Sequence, residues 1–485
     1  MISAFFKRNR IHKYINALLA LSIILFIAYQ IDNIPRTDDD YLGEQVYWLL
    51  KDGVVKSQFG YENLGYDIYQ SIYHKLFIYN GYLMSYWLGW SLYSLHLVSY
   101  IWWFIFLAVL WKGLAKVYPE FKGEFWKLFL LLLLLNPDLI YGVGTFRPEV
   151  MLMTLGFISY LCIHIFLSSN RSIYLIISSA AAGLAMFAHL NGVIYIVAGF
   201  VLLTVNKRYA KALWYLFIAG MVAALFFIDV LQYKDLNFFW SQFKNDPVLN
   251  GADNKWYHIF IKLAAEQSRF FYTPKQIIIS GTLILSLIFS WKKLYPKHKN
   301  LLLYTLTLVI VGGMFNPSKT PKYLILYMPF LYLLLIFSWN GVELLQQRVK
   351  QYCIRVCMLG VILLGVYHAV EHILINIANL KSGGIIQEHA AIEKMISEPA
   401  NQVVVLGSRP MIFNSIPHYK AIKDIALVGT AEMNDIITHA KVDYIVLDKQ
   451  ECDRFNLDSL LTNNSYVIKK MGQTAHYTVA RVYPK

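Results

Sequence analysis

Apolar runs of roughly 17–22 residues recur along most of this chain, and each is long enough to cross a bilayer core as a helix. A soluble helix buries one stripe and shows water the rest; helices apolar on every side need lipid or a very large core. The composition agrees. Of 485 residues, 57% are hydrophobic and 15% charged, at a mean hydropathy of +0.45, whereas soluble chains average about 25% charged residues. The first run, Tyr14–Ile31, is too long for a cleaved signal and no small-x-small site follows it. It reads as an uncleaved first span.

The net charge of +14 does not indicate nucleic-acid binding, because many of the bases sit in short loops between spans. Lys7, Arg8, Arg10 and Lys13 precede the first span and place the amino terminus in the cytoplasm. Four further basic loops follow, around Lys112–Lys122, Lys207–Lys211, Lys292–Lys299 and Arg348–Arg355. About eleven spans put all of them inside: 14–31, 92–111, 125–141, 149–168, 172–188, 191–206, 211–231, 276–291, 300–316, 322–340 and 354–375. That parity requires His74–Trp90, rich in Tyr and Trp, to lie in the interface as a juxtamembrane helix. Twelve Trp, 35 Tyr and 30 Phe suit interfacial belts.

The expected architecture is therefore mainly α. A polytopic membrane domain spans 1–376, with outer loops at 32–91 and 232–275. Beyond it, 377–485 has soluble composition. Compact apolar runs at Gln402–Leu406 and Val442–Leu447, helical patterning at Ala431–Ala440 and alternation over Gln473–Tyr483 predict a small extracytoplasmic α/β domain. Four cysteines form no disulfide framework: Cys162, Cys353 and Cys357 fall in or beside spans, and Cys452 is alone in the tail.

Three consecutive aspartates, Asp38-Asp39-Asp40, open the first outer loop. Adjacent carboxylates repel by about 1–4 kcal/mol at ~4 Å, so holding three together points to a base, a metal ligand or both; a solvated acidic loop is the plain alternative. Hard oxygen ligands suit a divalent cation, Asp38 and Asp39 being the candidates, and the spacing does not choose between base and metal. The other outer turns collect Arg147 with Glu149, His189, and Lys319, Lys322 and Tyr323. Singly, each has a structural explanation: an Arg147–Glu149 pair, a polar helix end at His189, lysines as interface anchors. Together they put acids and bases on one side of the membrane. A cation there holds a phosphate while a carboxylate deprotonates an acceptor hydroxyl. No nucleotide substrate is expected outside the cytoplasm, so the phosphate carrier is a lipid. No HExxH, CxxC or P-loop is present. A glycan polymerase or ligase of another superfamily and a lipid or glycan transporter are the rivals; the transporter predicts charged residues near the midplane, where few fall.

Four places resemble the GT-C superfamily of polytopic glycosyltransferases, in the branch containing protein O-mannosyltransferases and the lipid A aminoarabinose transferase. Asp38-Asp39 precede Gly53, with Tyr41, Tyr47 and Trp48 between, like that family's acidic pair, aromatic helix and glycine; a second aspartate stands where the family usually has glutamate. Phe146-Arg147-Pro148-Glu149 resembles its Arg-Pro-acid turn. His189-Leu190-Asn191 stands where a lysine often occurs. Lys319-Thr320-Pro321-Lys322-Tyr323-Leu324, with Pro329 beyond, resembles its Lys-x-x-basic-Tyr-Leu stretch. The likeness covers roughly 14–340.

The resemblance implies a polyprenyl-phosphate-linked sugar as donor and a lipid, glycan or protein acceptor at the outer face of a bacterial-type cytoplasmic membrane. It implies that Asp38 or Asp39 acts as base, with Asp40 assisting. Arg147, His189, Lys319, Lys322 and Tyr323 would bind the lipid phosphate, and Glu44 and Glu149 would support the acceptor side. No cofactor is required by it; a divalent metal is the one candidate.

Overall fold

Helix length and apolarity sort the elements. The computed structural model describes residues 8–31, 35, 38–59, 65–121, 123–233, 236–245, 257–316, 319–343, 348–381, 384–425, 436–455 and 466–485. Among these, five helices are long and apolar enough to cross a membrane: Leu92–Val117, Glu149–Ser169, Tyr209–Val230, Pro274–Phe315 and Arg348–Ala378. Glu124–Leu134 and Pro137–Val143 make a sixth if counted together, bent by 70° at the break. The bend has a local cause: Pro137 lacks an N–H to continue the first helix, and Asn136 restarts the second by accepting from Leu139 N at 2.8 Å. Shorter apolar helices run Tyr14–Gln30, Ser172–Ala188, Leu190–Val205 and Met328–Asn340. Length and composition thus support five or six spans, fewer than the eleven read from the sequence.

Pro274–Phe315 departs most from expectation. Its 42 residues extend about 63 Å at ~1.5 Å per residue, twice a bilayer core of ~30 Å. The basic stretch Lys292–Lys299, expected as a loop, is instead helix, broken only at His298 (φ −123°, ψ 26°) two residues after Pro296. Proline removes one helical hydrogen bond and crowds the preceding turn, so it bends the helix without ending it. The expected interfacial segment forms a 14-residue helix, Lys75–Leu88, too short to span.

The chain divides into two compact units: one of 1–31, 73–80 and 96–373, the other of 32–72, 81–95 and 374–485. In the first, small residues bring helices to backbone contact. A Cβ on Gly183 would stand 2.6 Å from Ala219 O, so glycine alone fits between Ser172–Ala188 and Tyr209–Ala223. Polar bonds then fix register: Ser159 Oγ to Ser178 Oγ at 3.0 Å, Tyr215 OH to Tyr195 O at 3.2 Å, and Asn136 Nδ2 to Tyr332 OH at 2.8 Å.

The second unit is built on a five-stranded sheet: β1 (Val404–Gly407), β2 (Ala421–Asp424), β3 (Tyr444–Asp448), β4 (Tyr466–Gln473) and β5 (Tyr477–Pro484), in the order β2-β1-β3-β5-β4. β1 pairs in parallel with β2 and β3; β5 pairs antiparallel with β3 and β4. β1 and β3 fall on the two apolar runs, while four-residue β2 is too short for the alternation to reveal. Residues 431–435 of the expected helix lie outside the described residues; 436–439 are helical.

The segment after the first apolar helix shares this unit's core. Phe59 packs with Ile392, Val405, Tyr444 and Val479, and Tyr41, Tyr47 and Trp90 lie against them. Phe59 O accepts from Asp424 N at 3.0 Å. Trp90 stacks on Phe413, with centroids 4.4 Å apart, and donates to Gly43 O at 3.3 Å. A Cβ at Gly43 would stand 2.7 Å from Phe413 Cε2. Gly43→Val is therefore expected to push Phe413 out of that stack and to destabilise this unit by about 1–3 kcal/mol, as overpacking typically does; proteolysis of the soluble tail would report it, and wild-type resistance would contradict it.

Candidate functional site

The acidic run opens a helix. Asp38 is the N-cap of Asp39–Asp52, and Asp39 and Asp40 occupy its first turn, where the unpaired N–H groups carry the positive end of the helix dipole. Asp39 and Asp40 are buried; Asp38 is half-buried. The helix ends where Gly53 enters the left-handed region (φ 72°) and its N–H reaches Leu49 O at 3.2 Å. The spacing from acids to glycine is thus the length of one helix. Its other anchors lie in the same unit: Gln70 Nε2 donates to Tyr41 OH at 2.8 Å, and Gln45 Nε2 to Gln70 Oε1 at 3.1 Å.

Glu44, one turn on from Asp40, is committed internally. Its carboxyl accepts from Trp48 Nε1 at 3.0 Å, Ser57 Oγ at 2.7 Å and Gln58 N at 2.6 Å. Burial pushes its pKa up to about 7; the three donors and Lys423 pull the other way without overcoming it. An acid whose folded pKa is raised gives its full contribution below the unfolded value, near pH 4.5, and loses it as pH rises through about 7. Wild-type melting temperature is therefore expected to fall across that window. Glu44→Gln, which keeps two acceptances and turns Ser57 into the acceptor, should flatten the slope; an unchanged slope would assign it elsewhere.

In the membrane unit the candidate cations sit on three turns. Ser99 Oγ donates to Thr145 O at 2.6 Å and Phe146 packs on Phe77 at 4.3 Å, fixing the turn that presents Arg147. Arg147 Nε donates to Glu149 Oε2 at 3.0 Å, and a second guanidinium nitrogen to Oε1. Both residues are buried, so the pair forms a two-point fork. His189 caps the short helix Leu190–Gly192, its Nδ1 accepting from Asn191 N at 2.9 Å. Its ring stacks on His74 at 4.2 Å and meets Tyr323 edge-on at 6.3 Å. Burial, with His74 and Arg147 beside it, holds its imidazole well below the ordinary histidine range. It is a neutral donor there, not a cation.

Pro321–Leu326, a 3-10 helix, carries Lys322 and Tyr323, and is pinned by Tyr195 OH donating to Leu326 O at 3.0 Å. Lys322 Nζ stands 5.7 Å from the Tyr141 ring. Lys319 spends its three protons on Glu266 Oε2 at 3.0 Å, Gly313 O at 2.7 Å and Asn316 O at 3.0 Å, closing the turn before it. Burial draws its pKa below the usual lysine value, against the pull of Glu266. Pro317 and Ser318 lie outside the described residues.

Two residues absent from the sequence reading complete the cluster. Glu266 and fully buried Arg269, on His258–Phe271, pair at 3.1 Å, and Arg269 donates to Tyr327 OH at 3.2 Å. Arg269 lies 5.6 Å from the Tyr323 ring, and both Arg147 and Arg269 act electrostatically on that phenol. Arg147, Arg269 and Lys319 against Glu149 and Glu266 leave one positive charge, and Lys322 adds a second. The arrangement can accept an anion. Nearby, Lys75 and Asp229 form a buried ion pair, with Tyr79 OH donating to Asp229 at 3.4 Å. The signal for all four was charge inside apolar or amphipathic stretches.

Asp38 and Asp39, the candidate metal ligands, belong to no group of three or more His, Cys, Asp or Glu suited to a metal among the described residues.

By sequence, no protein family and no curated protein matches this chain. By structure it is similar to ArnT from Cupriavidus metallidurans bound to undecaprenyl phosphate: TM-score 0.59 and 9% identity, over 96% of this chain and 98% of that one. The same protein in the apo state gives 0.56 and 11%, over 96% and 97%. The Archaeoglobus fulgidus oligosaccharyltransferase in complex with Zn and sulfate gives 0.53 and 11%, over 95% and 72%. At such identities the shared property is the fold. The fold shared with ArnT and the oligosaccharyltransferase is the one expected from the short motifs.

Proposed function

We propose that this chain is an inverting glycosyltransferase that moves a sugar from a polyprenyl-phosphate donor to a lipid, glycan or protein acceptor at the outer face of the cytoplasmic membrane. The observation that carries the reading is the cationic excess around Tyr323, on a fold shared over nearly the whole chain with ArnT bound to undecaprenyl phosphate. A carboxylate of the first outer loop takes the proton of the acceptor hydroxyl. The acceptor oxygen attacks the anomeric carbon from the face opposite the phosphate. The C–O bond to phosphate breaks, its electron pair goes to the phosphate oxygen, and configuration inverts. Arg147 and Lys322 neutralise the charge that builds on the leaving phosphate, which lowers the barrier most where water is excluded. Asp38, the half-buried aspartate, is best exposed to meet an acceptor; Asp39 and Asp40 set its field. Lys319 and His189 hold the turns that present these groups.

The membrane topology belongs to the same reading. The long helices, the bent pair, the four shorter apolar helices and the break at His298 are compatible with eleven crossings, the amino terminus inside and 377–485 outside. Lys56→Cys should react with an impermeant thiol reagent from outside and Tyr295→Cys only from inside; the opposite pattern would overturn this orientation.

Lys322→Ala tests the phosphate role, removing an ammonium that stands 5.7 Å from the Tyr141 ring. Loss of one charge-assisted contact, about 1.5–3 kcal/mol, should weaken donor use by roughly 10–100-fold. Unchanged kinetics with polyprenyl-phosphate sugars would remove Lys322 from the site.

A further inference from the structure

Two helices of the segment 232–275, Leu236–Asn245 and His258–Phe271, are amphipathic in the sense opposite to a helix beside water. His258–Phe271 carries four ionisable residues, His258, Lys262, Glu266 and Arg269, spaced four, four and three apart and so on one face. That face is turned inward: Glu266 and Arg269 are buried, the first bonded to Lys319 and the second to Tyr327. The opposite face, at Phe260, Ala264, Gln267 and Phe271, is exposed. Phe260 keeps 61% of its surface and the following Tyr272 75%. Beside water the arrangement is the reverse, apolar residues in and charges out. Leu236–Asn245 repeats the inversion: Gln242 is buried, while Leu236, Trp240 and Phe243, spaced four and three apart, are exposed.

Packing sets the depth of these faces. A Cβ on Gly313 would stand 2.9 Å from Leu263 Cδ1 and 3.2 Å from Glu266 Cβ, so His258–Phe271 lies against Pro274–Phe315 close to the end of that helix. Ser280 Oγ donates to Phe270 O at 2.9 Å, and Ser280 lies about 9 Å into the same apolar helix. Exposed apolar residues continue along the chain from Phe271 and Tyr272 to Ile277, Ile278 and Ile284 of that helix. Phe239 packs on Phe227 at 5.4 Å, which ties Leu236–Asn245 to the end of Tyr209–Val230, where Leu225, Phe227 and Ile228 are exposed.

We infer that these two helices dock on membrane lipid, with Leu236, Trp240, Phe260 and Phe271 among acyl chains at the boundary of the outer leaflet. Neither exposed stripe carries a charged residue, and both continue the surface of helices long and apolar enough to cross the membrane. That continuity selects lipid over a soluble partner. The choice of leaflet rests on the orientation proposed above; the lipid contact does not. One helix, about 10 Å across, then separates acyl chains from the Glu266–Arg269 pair.

The unmodified full chain tests this in phosphatidylcholine vesicles doped with a phosphatidylcholine whose acyl chain carries a diazirine. After irradiation and digestion, mass analysis should find lipid adducts within 236–245 and 257–272. Adducts on Leu92–Val117, whose Phe104 is exposed, but none in those two segments overturn the inference. A second measurement uses Trp240→Cys and Phe260→Cys, each in a chain whose four native cysteines are replaced by alanine and labelled with a small fluorophore. Doxyl-labelled lipid should quench both several-fold more strongly than aqueous iodide, and a label at exposed Lys469→Cys in the tail should show the reverse. Stronger quenching by iodide at 240 and 260 overturns the assignment. Protection from both quenchers also overturns it, and disulfide-linked dimers of unlabelled Phe260→Cys would then give the face to a second copy. With iodide on both sides of the vesicle neither readout depends on the leaflet, so a wrong orientation leaves them unchanged.

Discussion

Replacing Lys75 by methionine is expected to destabilise the membrane unit by about 3–5 kcal/mol, because Asp229 would remain buried without its counter-charge. The lysine side chain is fully buried and the aspartate nearly so. The Lys75 ammonium lies 4.4 Å from the Tyr73 ring centroid, and Tyr73 OH donates to Tyr79 OH at 3.3 Å, so the pair anchors the start of Lys75–Leu88. Through adjacent His74, stacked on His189, it also sets the wall of the candidate phosphate site. Lys75→Met combined with Asp229→Leu should recover most of the loss, since a well-packed apolar pair often replaces a buried ion pair at little cost. Thermal melting of the two single variants and the double variant in detergent gives the coupling directly. Additive losses would show that the pair contributes only as two separate side chains.

Replacing Asp38 by asparagine is expected to lower the rate of sugar transfer by about 10²–10⁴-fold, the range associated with a positioned general base. Asparagine keeps the side-chain volume at an N-cap position where the aspartate makes no side-chain cap hydrogen bond, so folding should be unaffected. Donor affinity should also be unaffected, because the cations proposed to bind phosphate lie on other turns. A fall in turnover with an unchanged KM for donor is the signature of an interaction made in the transition state. Asp39→Asn and Asp40→Asn, both at buried positions, are expected to combine a smaller loss of turnover with a loss of stability. If all three variants turn over normally, the base is elsewhere.

The sequence made the fold class legible because it rests on hydropathy, which depends only on local composition. Span counting was harder. Lys292–Lys299 looked like a loop by charge, but Pro296 bends a continuing helix there without ending it. The acidic pair, the aromatic helix and Gly53 entered through the family resemblance, and the structure joins them as one helix with its N-cap at Asp38 and a left-handed stop at Gly53. Glu266 and Arg269 were not legible, because their importance comes from Lys319, Tyr323 and Tyr327 arriving from residues fifty or more positions away. The resemblance implied that Glu44 supports the acceptor side. Its partners Trp48, Ser57 and Gln58 identify it as the tie between a helix and the following segment.

The central claim is the transfer itself, and it is tested most directly by mass analysis of polyprenyl lipids and envelope glycans from cells lacking this chain. A lipid-linked sugar transferase predicts two coupled changes: a polyprenyl-phosphate sugar accumulates, and one envelope molecule loses that same sugar. Wild-type chain should restore both, and Asp38→Asn should restore neither. Lipid and glycan profiles identical with and without the chain would contradict the account.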